Sequence, residues 1–315
     1  MKRALITDGV DPLLKEGLKK LGYSCDYLPN ISLSETLEMI EPYEGLIINS
    51  KITVDRRFLD RAVHLKFIGR LGSGMEIIDQ DYAAQKGVAV FSAPEGNCNA
   101  VGEHALGMLL ALANNMLRAD QQLRQKTWNR EQNRGFELMG KTIGIIGFGH
   151  TGSAFAGKLS GMGVKVLAYD KYKKKYTVGL PHVIETEMEE IFQKADILSF
   201  HLPLTEEVIY LVDEDYINSC KKGVVFINTS RGKVIETAAL IKGLESGNIS
   251  GACLDVFENE KPATFTKEEE MLFSKLYTFD QVILSPHIAG WTIESKRRLA
   301  AVLLAKIAER FTNQR

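Results

Sequence analysis

Short apolar runs recur through the first part of the chain, at RALITD, SCDYL, GLIINS, LKFIGRL and VAVFSA, and the stretches between them carry helical spacing. Strand and helix periods that alternate in this way predict a parallel sheet covered by helices. The punctuation agrees with the pattern. Asp11 and Pro12 suit an N-cap and first turn, Leu14, Leu18 and Leu21 form one stripe, and Gly22 supplies a stop. Ser32 with Glu35 reads as a capping box.

From Asn99 to about Arg124 the pattern predicts one long helix whose apolar positions cover more than one face, so it must be buried on several sides. A second alternating series follows: KTIGIIGFG, the helix GSAFAGKLSGMG, VKVLAYD, a helix near TEMEEIFQKA, DILSFHL, GVVFINTS, a helix at ETAALIKGLESG, SGACLDVF and QVILSP. An amphipathic helix, TIESKRRLAAVLLAKIAERF, is expected to return to the first domain. The polar stretch ENEKPATFTKEEEMLFSKLYTFD reads as a surface loop with a short helix. There is no solenoid repeat and no low-complexity linker.

Composition narrows the class. At 315 residues the chain is long enough for two cores. A net charge of -1 gives no electrostatic bias toward nucleic acid or anionic membrane. The start lacks a signal peptide's apolar core, and no run is long enough to span a bilayer, so a cytoplasmic protein is expected. Cys25, Cys98, Cys220 and Cys253 stand far apart, which predicts four buried thiols with no disulfide and no metal site.

Gly147, Gly149 and Gly152 follow an apolar strand and open a helix, and Asp170 ends the next strand. That context reads as a dinucleotide site: a tight turn, close backbone approach to a pyrophosphate, and a helix N-terminus facing it. Asp170 accepts from a ribose diol and repels a 2′-phosphate, which selects NAD; Lys171, Lys173, Lys174 and Lys175 read as a solvated run. Three later strand ends, INTSRGKVIE, LDVFENEK and ILSPHIAG, carry Arg231, Glu260 and His287. An arginine fork can hold a carboxylate, a histidine can pass a proton, and a carboxylate can orient the imidazole.

The motifs GRLGSGMEIID, NAVGEHALGMLLAL, GKTIGIIGFGHTG, HLPLT, INTSRG, LDVFENE and SPHIAG, in this order, resemble the D-isomer-specific 2-hydroxyacid dehydrogenase family over essentially the whole chain. The resemblance implies an α/β fold of two doubly wound parallel-sheet domains. These are a flavodoxin-like substrate domain, residues 1–98 with 288–315, and a Rossmann NAD-binding domain, 99–287. It implies a reversible hydride transfer between NAD(H) and a small D-2-hydroxy or 2-oxo acid, with 3-phosphoglycerate and glycerate/hydroxypyruvate/glyoxylate ranked ahead of D-lactate. Arg231 is expected to bind the substrate carboxylate and carbonyl, and His287 to exchange the proton while Glu260 supports it. Asp255 is expected at the nicotinamide carboxamide, His150 and Thr151 at the pyrophosphate, Thr229 and Ser230 at the nicotinamide ribose, and His201, Pro203 and Gly290 along the cofactor. Gly72, Ser73 and Gly74 are expected to offer backbone N–H groups to the carboxylate. Arg70 reads equally as an anion ligand or a surface ion pair.

The chain departs from the family pattern in three places. Lys261 stands between Glu260 and Pro262, where the family has Glu followed by Pro; Thr151 replaces an isoleucine; and Glu76 and Ile77 replace a phosphoglycerate-type Asp and Asn. Glu260, where formate dehydrogenase would have Gln, points to oxo-acid chemistry. His104 reads as a packed, hydrogen-bonded helix residue. The chain ends 28 residues past His287, which favours a plain enzyme over an appended regulatory domain or an NAD-sensing corepressor-like binding protein. The family builds its dimer through the apolar region from Asn99, so a homodimer is expected.

Overall fold

The computed structural model describes residues 2–312, which fall into two compact units: residues up to Cys98 with those from Trp291 on, and Asn99–Gly290. The chain passes between them inside one helix and again after Gly290.

In the first unit β1 (Lys2–Ile6), α1 (Pro12–Lys20), β2 (Tyr23–Tyr27), α2 (Leu33–Met39), β3 (Gly45–Ile48), α3 (Arg56–Arg61), β4 (Phe67–Arg70), α4 (Gln80–Gln85) and β5 (Ala89–Ser92) alternate. The sheet runs β2-β1-β3-β4-β5, all parallel, the flavodoxin-like order. Helix starts follow the side chains: Asp11 accepts from the Leu13 amide, and Ser32 and Glu35 exchange hydrogen bonds in a capping box. One sheet face packs Ala4, Ile6 and Phe67 against Leu14 and Leu18 of α1. Leu299, Ala300, Leu303 and Ile307 of α12 (Ile293–Thr312) complete that layer. The other face packs Leu5, Leu46, Ile48 and Ile68 under α2 and α3, with Phe58 and Leu59 buried.

The second unit contains α5 (Pro94–Ala113) from Asn99 onward, α6 (Met116–Arg124), β6 (Thr142–Ile146), α7 (His150–Lys158), β7 (Lys165–Tyr169), β8 (Val183–Glu185), α8 (Met188–Lys194), β9 (Ile197–Phe200), α9 (Glu214–Ser219), β10 (Val224–Asn228), α10 (Thr237–Ser246), β11 (Ile249–Leu254), α11 (Lys267–Leu276) and β12 (Val282–Leu284). Its sheet is parallel throughout, in the order β12-β11-β10-β9-β6-β7-β8, a Rossmann arrangement with a seventh strand. Buried strands alternate between two layers: in β10, Val224 and Phe226 join α9, α10 and α11, while Val225 and Ile227 join α5 and α7.

The long helix differs from its expectation. It begins five residues earlier, with Pro94 in the first turn, and breaks after Ala113, where Asn115 takes a left-handed φ of 51°. Burial on several sides holds for α5, whose Ala105, Met108, Leu109 and Leu112 are core. None of α6 is buried. Of the four cysteines only Cys253 is fully buried; all four are free and the others are half-buried. The charge-rich insertion holds a ten-residue helix, α11, which opens on a Thr266–Glu269 capping box and buries Phe273 and Leu276. The edge strand β8, three residues long, is too short to announce itself by pattern.

Candidate functional site

Six motif residues of the second unit lie at strands' carboxyl ends. Gly147 follows β6, Asp170 follows β7, His201 follows β9, Thr229 follows β10, Asp255 follows β11 and Ser285 follows β12. Because all these strands are parallel, the residues line one edge of one sheet, where open α/β sheets take ligands. The strand order reverses between β9 and β6, and there the backbones are close: His201 N–H donates to Ile146 O at 2.8 Å.

The three glycines have three jobs. Gly147 has φ +88°, and a side chain there would meet the His201 carbonyl at 2.5 Å. Gly152 packs its α-carbon so close to the turn that an added Cβ would lie 2.1 Å from Gly147 O. Gly149 faces open space and caps α7 without a side chain, so that helix start has no side-chain cap, unlike those of α1, α2, α3, α4, α9 and α11. This cradle fits a pyrophosphate. Two buried polar atoms on the same edge, Thr229 Oγ1 and His201 Nδ1, have no protein partner among the described residues, as expected of groups that meet a ligand.

Asp170, the residue expected at the ribose, is bonded to the turn itself. Its Oδ2 accepts from Phe148 N–H at 2.9 Å and its Oδ1 from the Tyr172 and Lys173 amides. Two of the lysines that follow are engaged: Lys171 pairs with Glu207, and Lys173 Nζ donates to Phe148 O in the glycine turn at 2.9 Å. His201 is fully enclosed, its Nε2 is bonded to Ser199 Oγ, and burial pushes its pKa down to about 3. Pro203 is exposed, two residues beyond.

Arg231, Glu260 and His287 come from three neighbouring strand ends. Asn228 closes β10, accepting from the Ser230 amide and hydroxyl while its own amide donates to Arg231 O at 2.9 Å, so the chain turns sharply and Ser230 stays buried. Glu260 grips the His287 ring: Nδ1 lies 2.8 Å from Oε2 and 3.0 Å from Oε1. Burial pushes the Glu260 carboxyl up, but the hydrogen bond and charge of His287, the Phe257 amide and the Arg231 guanidinium outweigh it and hold it below the usual carboxylate range. Glu260 meets the imidazole with Lys261 in the loop. Asn259 absorbs the extra residue, accepting from Lys261 N–H at 3.0 Å and donating to Glu269. Glu258 ties the loop to α10 through Thr237 N–H at 2.7 Å, and to the Tyr210 hydroxyl.

His287 occupies the left-handed region at φ 54°, a conformation that costs about 1–2 kcal/mol outside glycine. Asp255 holds it there. His287 N–H donates to Asp255 O at 2.7 Å, and the fully buried carboxylate accepts from Ser285 Oγ at 2.5 Å, Ile288 N–H at 2.9 Å and Ala289 N–H at 2.8 Å. Gly290 ends this loop and the unit. Sequence reasoning missed Asn228, Glu258 and Ser285; each is a polar residue beside an apolar strand run, the one signal that was available.

In the first unit, Arg70 ends β4 half-buried and the GSG turn follows. Gly72 has φ +153°, and a Cβ there would fall 1.3 Å from the Arg70 guanidinium. Ser73 donates to Asn97 Oδ1 at 3.2 Å, and Gly74 is buried.

Comparison with known proteins agrees with this architecture. Residues 106–289 match the model of the D-isomer specific 2-hydroxyacid dehydrogenase NAD-binding domain. A hydroxypyruvate reductase of Thermotoga maritima is 33% identical over 303 residues, 94% of this chain and 95% of the relative. A glyoxylate reductase of Thermofilum pendens is 36% identical over 90% of this chain and 85% of the relative. A D-3-phosphoglycerate dehydrogenase of Archaeoglobus fulgidus is 30% identical over 97% of this chain, which spans 56% of that relative's length. A crystal structure of D-lactate dehydrogenase from Aquifex aeolicus, complexed with NAD and lactic acid, superposes with a TM-score of 0.85 at 28% identity, covering 99% of this chain and 96% of that one. With residues 106–289 matching that domain and relatives of 33% and 36% identity covering most of both chains, on a parallel sheet of this order, the chain belongs to the D-isomer-specific 2-hydroxyacid dehydrogenase family, whose dinucleotide is NAD.

Proposed function

We propose that the protein interconverts a small 2-oxo acid and its D-2-hydroxy acid with NAD(H), and that Arg231, Glu260 and His287 carry the chemistry. The observation that supports this most is the 2.8 Å pairing of Glu260 with His287 Nδ1. With Nδ1 committed to the carboxylate, Nε2 is the ring nitrogen left to face a substrate oxygen. Bound NADH supplies a hydride to the 2-oxo carbon. His287 Nε2 gives its proton to the carbonyl oxygen, and Glu260 stabilises the ring in its charged form before that transfer. In the reverse direction the imidazole takes the proton from the hydroxyl. The Arg231 fork holds the substrate carboxylate and draws charge toward the carbonyl oxygen. Arg70, Gly72, Ser73 and Gly74 are assigned to the substrate as further donors, and Asp255, Thr229, Ser230, His201, Pro203, Gly290, His150 and Thr151 to the cofactor.

Hydroxypyruvate, glyoxylate and phosphohydroxypyruvate are the substrates to try first, since reductases and a dehydrogenase for compounds of this kind are among the relatives. We also propose a homodimer through the second unit. Met116, Leu117, Leu123, Trp128 and Met139 are between 49% and 77% exposed on α6 and the segment after it, more apolar surface than a monomer usually leaves in one stretch. A monomeric mass by light scattering at micromolar concentration would refute it. No helix among the described residues is long and apolar enough to cross a membrane, and the free cysteines suit a reducing compartment, which supports a cytoplasmic setting.

The test follows NADH absorbance with these oxo acids and pyruvate, comparing the native protein with His287→Gln. The expected result is turnover of at least one substrate and loss of most of that rate in the variant, with NADH binding retained. Tight NADH binding without turnover of any oxo acid overturns the enzyme reading in favour of an NAD-sensing role.

A further inference from the structure

The loop that carries His287 hangs on one buried carboxylate, and that carboxylate has a partner the reaction does not use. His104, in the second-unit part of α5, places Nε2 2.9 Å from Ser285 Oγ and 3.5 Å from Asp255 Oδ1. The proton bookkeeping fixes the direction of the chain. Ser285 has a single hydroxyl hydrogen, and its 2.5 Å contact with Asp255 Oδ1 takes it, the Met108 sulfur at 3.7 Å being a weaker and more distant acceptor. Nε2 must therefore be the donor to Ser285 Oγ. His104 is itself held in place, since α5 packs so closely on α7 that a Cβ on Gly102 would lie 3.0 Å from the Phe155 amide.

We propose that His104 is a positioning residue for the reaction: by donating to Ser285 it orients the Ser285 hydroxyl on Asp255, and so keeps the carboxylate aligned on the amides that set the His287 loop. The role rests on the dehydrogenase reading above. Asp255 is buried at 0% exposure, so water cannot replace a donor that turns away. Ile288 and Ala289 bond to the two oxygens of the same carboxylate, and a rotation that relaxes one contact strains the other.

His104→Leu removes the donor, whereas His104→Gln retains an N–H at nearly the Nε2 position. The leucine variant is expected to lose about tenfold in kcat on the oxo acid the native protein reduces fastest. KM for the oxo acid should stay within about twofold, and amide hydrogen exchange should rise about tenfold in the segment from Ser285 to Ala289. The glutamine variant is expected near native in both readouts. Leucine values within about twofold of native, or a glutamine variant as impaired as the leucine one, overturn the proposal. Ser285→Ala cuts the same chain at its middle, so adding His104→Leu to it should change nothing further; additive losses also overturn it. Absence of native turnover refutes the dehydrogenase reading instead, and the exchange comparison then decides by itself whether His104 anchors the loop.

Discussion

Gly232 follows Arg231, and its neighbour across the loops is backbone. A Cβ added there would stand 1.9 Å from both C and O of Phe257 and 2.6 Å from the Glu258 nitrogen. Real Cβ atoms essentially never approach within 3.0 Å, so Gly232→Ala must part the two loops by at least 1.1 Å, the difference between 1.9 Å and 3.0 Å. Glu260 lies three residues past Phe257, and its 2.8 Å contact with His287 does not survive a displacement of that size as a hydrogen bond. Overpacking of this kind costs about 1–3 kcal/mol of stability, and a misplacement of about 1 Å near reacting groups costs roughly a hundredfold in rate. The assay pairs kcat from NADH absorbance with thermal unfolding and NADH affinity. Gly157→Ala serves as the control, since a Cβ on that exposed residue of α7 meets nothing within 4 Å, and it should gain about 0.5 kcal/mol at unchanged kcat. A Gly232→Ala protein with kcat within about twofold of native would show that the Arg231 and Glu260 loops are not coupled through this contact.

Three further outcomes are expected. Glu260→Gln should lower kcat by about a hundredfold. Because the folded-state pKa of Glu260 is depressed, its stabilisation is present above the ordinary value of 4.5 and fades as pH falls through the lower folded value. The native advantage in Tm over Glu260→Gln should therefore shrink in acid; an advantage unchanged down to pH of about 3 contradicts the ion-pair account. His201, neutral and buried with a pKa of about 3, favours the folded state fully above its ordinary value of 6.5 and loses that contribution as pH drops below it. Urea unfolding at pH of about 7 and 5 should show the native protein losing about 2 kcal/mol more than His201→Asn, and equal losses refute the assignment. We assign Asp170 to the ribose, and with Lys171 paired to Glu207 and Lys173 bonded to Phe148 O, KM for NADPH should exceed that for NADH by about a hundredfold. Equal values would mean that the lysine run reaches a 2′-phosphate.

The strands were legible in the chain because a parallel sheet covered on both faces needs apolar residues at nearly every strand position, and the runs at β1, β3, β6, β9 and β10 are of that kind. The dinucleotide turn was legible too, because its glycines answer local steric demands. The break at Asn115 was not, since two asparagines on a surface helix satisfy the same pattern whether or not one turns left-handed. Nor was β8, a short edge strand whose hydrogen bonds depend on β7 lying beside it.

Sequence order alone also set which polar residues close which strands, and so which ones one sheet edge collects. Only the tertiary structure decided how they are used. It put Asp255 under the His287 loop, turned Asp170 partly onto Phe148, and let Asn259 absorb Lys261 so that Glu260 meets the imidazole. Most of those choices rest on hydrogen bonds between residues about 20 to 35 positions apart, such as Asp255 with Ala289, and on clearances such as that between Gly232 and Phe257. A one-dimensional pattern records periodicity and turn chemistry. It carries no measure of the few ångströms between neighbouring loops, which packing sets when the sheet closes.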